Sequence, residues 1–111
     1  EFDINGLEVG ECIGYYDNGQ IKFKGQFNIN SNKVSEWISY YENSGLRYKG
    51  EYNQNGNKEG LWIYYYKNGQ LFFKGDYKNG KKEGAWVSYS EDGVIYEDET
   101  GIFKNGNKIS D

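Results

Sequence analysis

Apolar and polar residues alternate along this chain in short runs, and the runs recur. Four of them read Cys12-Ile13-Gly14-Tyr15-Tyr16, Trp37-Ile38-Ser39-Tyr40-Tyr41, Trp62-Ile63-Tyr64-Tyr65-Tyr66 and Trp86-Val87-Ser88-Tyr89-Ser90. Each precedes a turn signal and a second apolar segment: Ile21 to Phe27, Leu46 to Tyr52, Leu71 to Tyr77 and Val94 to Phe103. Trp37, Trp62 and Trp86 fall 25 and 24 residues apart, and Lys24-Gly25, Lys49-Gly50 and Lys74-Gly75 recur at steps of 25. A step of 25 back from Trp37 lands on Cys12, which replaces Trp in the first unit. Period-two alternation bounded by Gly and Asn signals strands, and a fixed period makes each unit one element that must stack on its neighbours to bury a core.

Between the paired segments lie Asn18-Gly19, Asn68-Gly69, Asp92-Gly93 and, in the second unit, Asn43-Ser44. Such dipeptides predict a two-residue type I′ hairpin loop, which needs positive φ twice. The connections between hairpins, such as Lys78-Asn79-Gly80-Lys81-Lys82-Glu83-Gly84, read as longer and polar. The pattern therefore predicts an all-β fold: an antiparallel β-hairpin meander of about eight or nine strands, forming an elongated repeat solenoid. Its four repeats cover about 11–35, 36–60, 61–84 and 85–108 within a single domain over 1–111. Residues 1–10 are a partial repeat in which Phe2 aligns with Phe27 and Tyr52. In the last repeat Glu97-Asp98-Glu99-Thr100 adds about two residues before Gly101, as a bulge or a terminal cap would.

A two-residue loop sets the cross-strand pairs, and paired residues share a face. With Asn68-Gly69 as the loop, Tyr66 faces Leu71, Tyr64 faces Phe73 and Trp62 faces Gly75. The same counting pairs Tyr16 with Ile21, Cys12 with Gly25, Tyr41 with Leu46 and Trp37 with Gly50. This apolar face is the expected core, where Trp37, Trp62 and Trp86 alternate with Gly25, Gly50 and Gly75 and an indole lies over bare backbone. The opposite face carries Ile13, Ile38, Ile63 and Val87, then Tyr15, Tyr40, Tyr65 and Tyr89. There the expected partners are Lys22, Arg47, Phe72 and Tyr96, beside Lys24, Lys49 and Lys74. Two readings stay open for this ladder: rings that shield a one-layer sheet, or a binding stripe of Tyr, Arg and Lys with Tyr40 over Arg47.

Composition narrows the chemistry. The 111 residues hold 3 Trp, 12 Tyr and 6 Phe with 16 Gly, while Ala is scarce and Met absent, which suits aromatic strands and tight turns. No His is present, removing the usual general base and the commonest metal ligand. A single Cys makes no internal disulfide, and Cys12 reads as a small buried apolar residue. The acidic cluster Glu91, Asp92, Glu97, Asp98 and Glu99 offers no calcium-loop spacing and no distinguishable acid–base pair, so it reads as a solvated terminal hairpin. A net charge of −4 argues against nucleic acid as the main partner. No apolar run approaches the ~18 residues of a membrane helix. The compartment stays open, since a chain starting at Glu1 fits a cytoplasmic protein or one exported after removal of a leader.

The run Trp62-Ile63-Tyr64-Tyr65-Tyr66-Lys67-Asn68-Gly69-Gln70-Leu71, followed by Lys74-Gly75-Asp76-Tyr77-Lys78-Asn79-Gly80-Lys81-Lys82-Glu83-Gly84 and Trp86, resembles the bacterial variant of the MORN repeat, the type grouped with YwqK-like proteins. The resemblance spans nearly the whole chain and departs from the pattern at Cys12, Ser44 and the last repeat. It implies a sheet of stacked hairpins acting as a binding or scaffold module. Some members are labelled antitoxins, and eukaryotic relatives are linked to membrane lipids and dimerisation. A weaker resemblance, to choline- and glucan-binding aromatic repeats, implies a small-ligand or carbohydrate binder. The residues favour a non-enzymatic module without cofactor or metal that binds a protein partner or itself. Its expected stripe is Tyr15, Tyr40, Tyr65, Tyr89, Arg47, Lys24, Lys49 and Lys74. Lipid binding, glycan binding and an antitoxin role are the alternatives.

Overall fold

The computed structural model describes residues 10–111. It contains nine strands, each hydrogen-bonded antiparallel to the next in sequence within one sheet. These are β1 (Gly10–Tyr15), β2 (Ile21–Phe27), β3 (Lys33–Tyr40), β4 (Leu46–Tyr52), β5 (Lys58–Tyr65), β6 (Leu71–Lys78), β7 (Lys81–Ser88), β8 (Gly101–Lys104) and β9 (Asn107–Ser110). The all-β meander expected from the repeat is thus found. The molecule is a slab of 49 × 35 × 12 Å with a radius of gyration of 16.0 Å. A compact globule of this size would give about 13 Å. The partial repeat over 1–10, with Phe2, lies outside the described residues except for Gly10.

The hairpin turns differ from expectation. Gly69 N–H donates to the Tyr66 carbonyl (2.9 Å) and Tyr66 N–H to the Gln70 carbonyl (2.8 Å), so the loop holds three residues. Within it Gly69 has positive φ, at 88°, and Asn68 does not. This is a type I turn closed by a left-handed residue and a bulge. Ser44 takes the same position without being glycine, at φ 70°. Two-residue loops with positive φ at both positions occur instead at Asn79-Gly80 (50° and 84°) and Asn105-Gly106 (53° and 86°). The connection after Lys78 is therefore tight, with Lys78 opposite Lys81, and not long.

These bulges leave the strand interiors in the expected register, Trp62 opposite Gly75 and Tyr64 opposite Phe73, but shift it by one beside the turn. Leu71 faces Tyr65 and not Tyr66. Likewise Ile21 faces Tyr15 and not Tyr16, and Leu46 faces Tyr40 and not Tyr41.

A second irregularity builds the core. Lys49 faces Ile63 but Glu51 faces Glu59, so Gly60, Leu61 and Trp62 stand across from Gly50 alone. The bulge swings each indole over the glycine of the preceding repeat. A Cβ on Gly25 would lie 2.1 Å from Trp37, one on Gly50 2.1 Å from Trp62, and one on Gly75 2.2 Å from Trp86. The indole covering Gly75 is thus that of Trp86, which corrects the expectation that Trp62 lies there. Each indole N–H donates to a carbonyl next to its glycine: Trp37 to Gln26 (3.1 Å), Trp62 to Glu51 (3.0 Å) and Trp86 to Asp76 (2.9 Å). The three tryptophans are 2–3% exposed.

Around them runs an edge-to-face row, Phe27, Trp37, Tyr52, Trp62, Tyr77, Trp86 and Phe103, with centroids 4.9 to 6.4 Å apart. Lys33, Lys58 and Lys82 lay their ammonium groups 4.7, 4.9 and 4.8 Å from the three indole rings. This face is therefore roofed by lysine stems and is not apolar throughout. Burial, with Lys33 nearby, lowers the pKa of Lys58. The second tyrosine of each pair locks neighbouring repeats: Tyr16, Tyr41 and Tyr66 hydroxyls donate to the carbonyls of Tyr40 (2.8 Å), Tyr65 (2.7 Å) and Tyr89 (2.8 Å). In the last repeat Glu97–Glu99 forms a single 3-10 turn that absorbs the extra residues and restores Trp86 opposite Gly101.

Candidate functional site

Strand alternation sends Tyr15, Tyr40, Tyr65 and Tyr89 to the face opposite the indoles, in line with Ile13, Ile38, Ile63 and Val87. Their cross-strand neighbours are Ile21, Leu46, Leu71 and Ile95. The expected neighbours Lys22, Arg47, Phe72 and Tyr96 sit at the bulge, which turns them to the indole face. There Lys22 lies 5.6 Å from the Tyr16 ring, and Phe72 stacks on Tyr66 at 4.6 Å. Arg47 donates from Nε to the Tyr64 hydroxyl (3.1 Å), with its guanidinium 5.9 Å from the rings of both Tyr41 and Tyr64. The hydrogen bond that Arg47 donates to Tyr64 raises the Arg47 pKa, and burial raises that of Tyr41. Arg47 therefore does not join the stripe, and the pairing of Tyr40 with Arg47 is replaced by that of Tyr41 and Tyr64 with it.

The ladder face is consequently more apolar than expected. Tyr15 is 61% exposed and Leu61 49%, while Tyr40, Tyr65 and Tyr89 are half-buried. Lys24, Lys49 and Lys74 share this face, but their charge is unevenly available. Lys24 lies 3.9 Å from Glu11 and Lys49 3.7 Å from Glu36. Leu61 occupies the corresponding place in the third repeat, and among the described residues Lys74 makes no ion pair. Shallow grooves recur on this face: about 350 Å³ bordered by Lys24, Glu36, Ile38 and Tyr40, and about 330 Å³ bordered by Lys49, Leu61 and Ile63. Nearer the turns, Leu46 and Tyr65 flank a further notch of about 300 Å³.

Elsewhere the candidates separate. Cys12 is half-buried and not buried, because it stands at the described end of the indole column without a ring of its own. Glu91, Asp92, Glu97, Asp98 and Glu99 are all exposed, and Glu99 pairs with Lys82. Among the described residues no three Cys, Asp or Glu side chains converge as metal ligands. No helix among them is long and apolar enough to cross a membrane. Two functional sets were missed in the sequence, although each carries a periodic signal: the latching Tyr16, Tyr41 and Tyr66, and the roofing Lys33, Lys58 and Lys82 four residues before each Trp.

The family model described as MORN repeat variant matches residues 8–28, 33–54 and 58–79, more than half of the chain. No curated protein and no solved structure matches it.

Proposed function

The chain belongs to the MORN repeat variant family, whose repeats are generally binding or scaffold modules and typically non-catalytic, and from that premise we propose that it binds another protein through its ladder face. One observation carries the reading. The face opposite the indoles repeats Ile or Val, then Tyr, beside an aliphatic residue in every unit, from Ile13, Tyr15 and Ile21 to Val87, Tyr89 and Ile95, and among the described residues no layer packs on it. Equivalent rings stand two strand spacings apart, about 9.6 Å, giving rigid amphipathic contact area at low entropic cost.

The competing ligands find less support. An aromatic cage for choline or glycan would use tryptophan faces, whereas Trp37, Trp62 and Trp86 are 2–3% exposed beneath lysine stems. A lipid surface would be held by clustered free cations, whereas Lys24 and Lys49 are already paired with carboxylates.

Central contacts dominate most interfaces, so Tyr40→Ala and Tyr65→Ala should each weaken association by about 1–3 kcal/mol. The check is capture from an extract of the native organism by immobilised wild type, the two variants and a Lys33→Ala control, with sedimentation velocity to detect self-association. A discrete partner held by wild type and control but lost by both ladder variants supports the proposal. Association indifferent to Tyr40 and Tyr65 overturns it.

A further inference from the structure

We propose that the indole face of the fourth repeat holds a binding cleft for one small, uncharged, single-ring aromatic molecule. The cleft, half-open to solvent, measures about 380 Å³, at the lower end of the range of small-ligand sites. Phe72, Phe73 and Tyr96 wall it, and Ser88 and Trp86, each 3% exposed, form its floor.

The repeat before it shows what such a cleft accepts. Tyr64 occupies in the third repeat the position that Ser88 holds in the fourth, two residues after the Trp. Its ring is sandwiched between Tyr48, at 5.4 Å and 29°, and Phe73, at 5.3 Å and 37°. Phe72 closes on its edge at 5.8 Å. The third repeat is thus plugged by its own phenol.

The fourth repeat lacks that plug twice over. Ser88 supplies no ring at the centre. Glu99 stands two residues before Gly101, where Phe73 stands before Gly75, so the far wall supplies no ring either. The 3-10 turn Glu97–Glu99 carries the chain past this point and leaves Tyr96 as the outer wall. Phe73 packs on Tyr64 and also meets the Trp86 indole at 5.6 Å and 30°; with no ring at Ser88, this Phe73–Trp86 pair lines the cleft.

Charge selects among aromatic ligands. Lys82 and Glu99 at the rim pair with each other, so the cleft presents no net charge and an ionic ligand would have to break that pair. A neutral ring needs only the apolar walls, with a hydroxyl group met at the rim. The site lies on the face opposite the tyrosine ladder, and its success or failure is independent of the protein-binding reading.

p-Cresol, the tyrosine side chain as a free molecule, is the probe. Titrated into the ¹⁵N-labelled wild-type chain, it should shift the Trp86 indole N–H and the Ser88 amide saturably while leaving the Trp37 and Trp62 indole signals in place. Ser88→Tyr, which copies the third repeat, should weaken binding at least tenfold with the β-sheet circular dichroism retained. Tyr64→Ser removes the plug but keeps Phe73 as the far wall, the arrangement Ser39 and Tyr48 already hold in the second repeat, and so should add no second site at the Trp62 indole. Shifts spread evenly over all three indoles, no saturable shift at Trp86, or unchanged binding in a folded Ser88→Tyr chain would each overturn the proposal. If Ser88→Tyr fails to fold, the wild-type titration and Tyr64→Ser decide.

Discussion

The two faces of this single sheet use the same residue type for opposite ends. On the indole face, Tyr41 and Tyr66 spend their hydroxyls on the carbonyls of the next repeat, and Tyr52 and Tyr77 pack edge-on against tryptophan. On the ladder face, Tyr15, Tyr40, Tyr65 and Tyr89 line up beside aliphatic residues, and among the described residues no layer covers them. Adjacent tyrosines in one sequence pair, such as Tyr40 and Tyr41, thus part company because strand alternation points them apart. The lesson is that a one-layer sheet needs one face closed by interlocking before it can leave the other open. The closed face achieves this by sharing: each indole covers its neighbour's glycine, so no repeat is complete alone.

The largest effect expected from breaking this division is on the closed face. Trp62→Ala removes an indole buried between repeats and should cost about 3–5 kcal/mol, read from urea unfolding. Gly75→Val comes next, at about 1–3 kcal/mol or more, since its Cβ would meet Trp86 at 2.2 Å. The Trp86 indole N–H should move in the NMR spectrum of this variant and that of Trp62 should not. If the Trp62 signal moves instead, the indoles lie over their own register partners and the interlocking is wrong. Tyr66→Phe removes one latch to the Tyr89 carbonyl and should cost about 0.5–1.5 kcal/mol by the same unfolding assay.

The smallest effect is on pH dependence. Burial is the leading cause that raises the pKa of Tyr41, Tyr48, Tyr52, Tyr66 and Tyr77. A raised tyrosine keeps its proton longer in the folded than in the unfolded chain. Its contribution is therefore fully present below the unfolded pKa of about 10 and is lost as pH rises through the folded value. Lys58, lowered by burial, acts with the opposite sign below about 10.4 but is one group against five. Urea midpoints should thus fall above about pH 10. A midpoint that holds or rises there would show that these hydroxyls are not buried in the closed face.

Much of this division was legible in the sequence. Period, strand number and the interior register follow from Trp spacing and from Lys-Gly recurrence, because alternation leaves one solution once one face must be buried. The turn type was not legible, since Asn-Gly suits both a two-residue loop and the end of a three-residue one. Asn68-Gly69 takes the second form and Asn79-Gly80 the first. That single residue of difference moved Arg47 off the ladder and put Leu46 in its place. The second bulge was equally hidden, since Gly60 and Gly84 read as ordinary strand or turn glycines until their positive φ (71° and 77°) shows them displacing the indole. The cleft over Ser88 was hidden for a different reason. A serine in the place of Tyr64 is an unremarked substitution until the far wall is also seen to lack a ring.

The proposed division of labour has the ladder face meet a partner while the indole face holds the sheet together. Its most direct test is site-specific photo-crosslinking in intact cells of the native organism, with p-benzoylphenylalanine placed either at Tyr65 on the ladder or at Lys33 on the indole roof. An adduct of discrete mass is expected from position 65 and none from position 33. An adduct from position 33 alone, or from neither, would contradict that division.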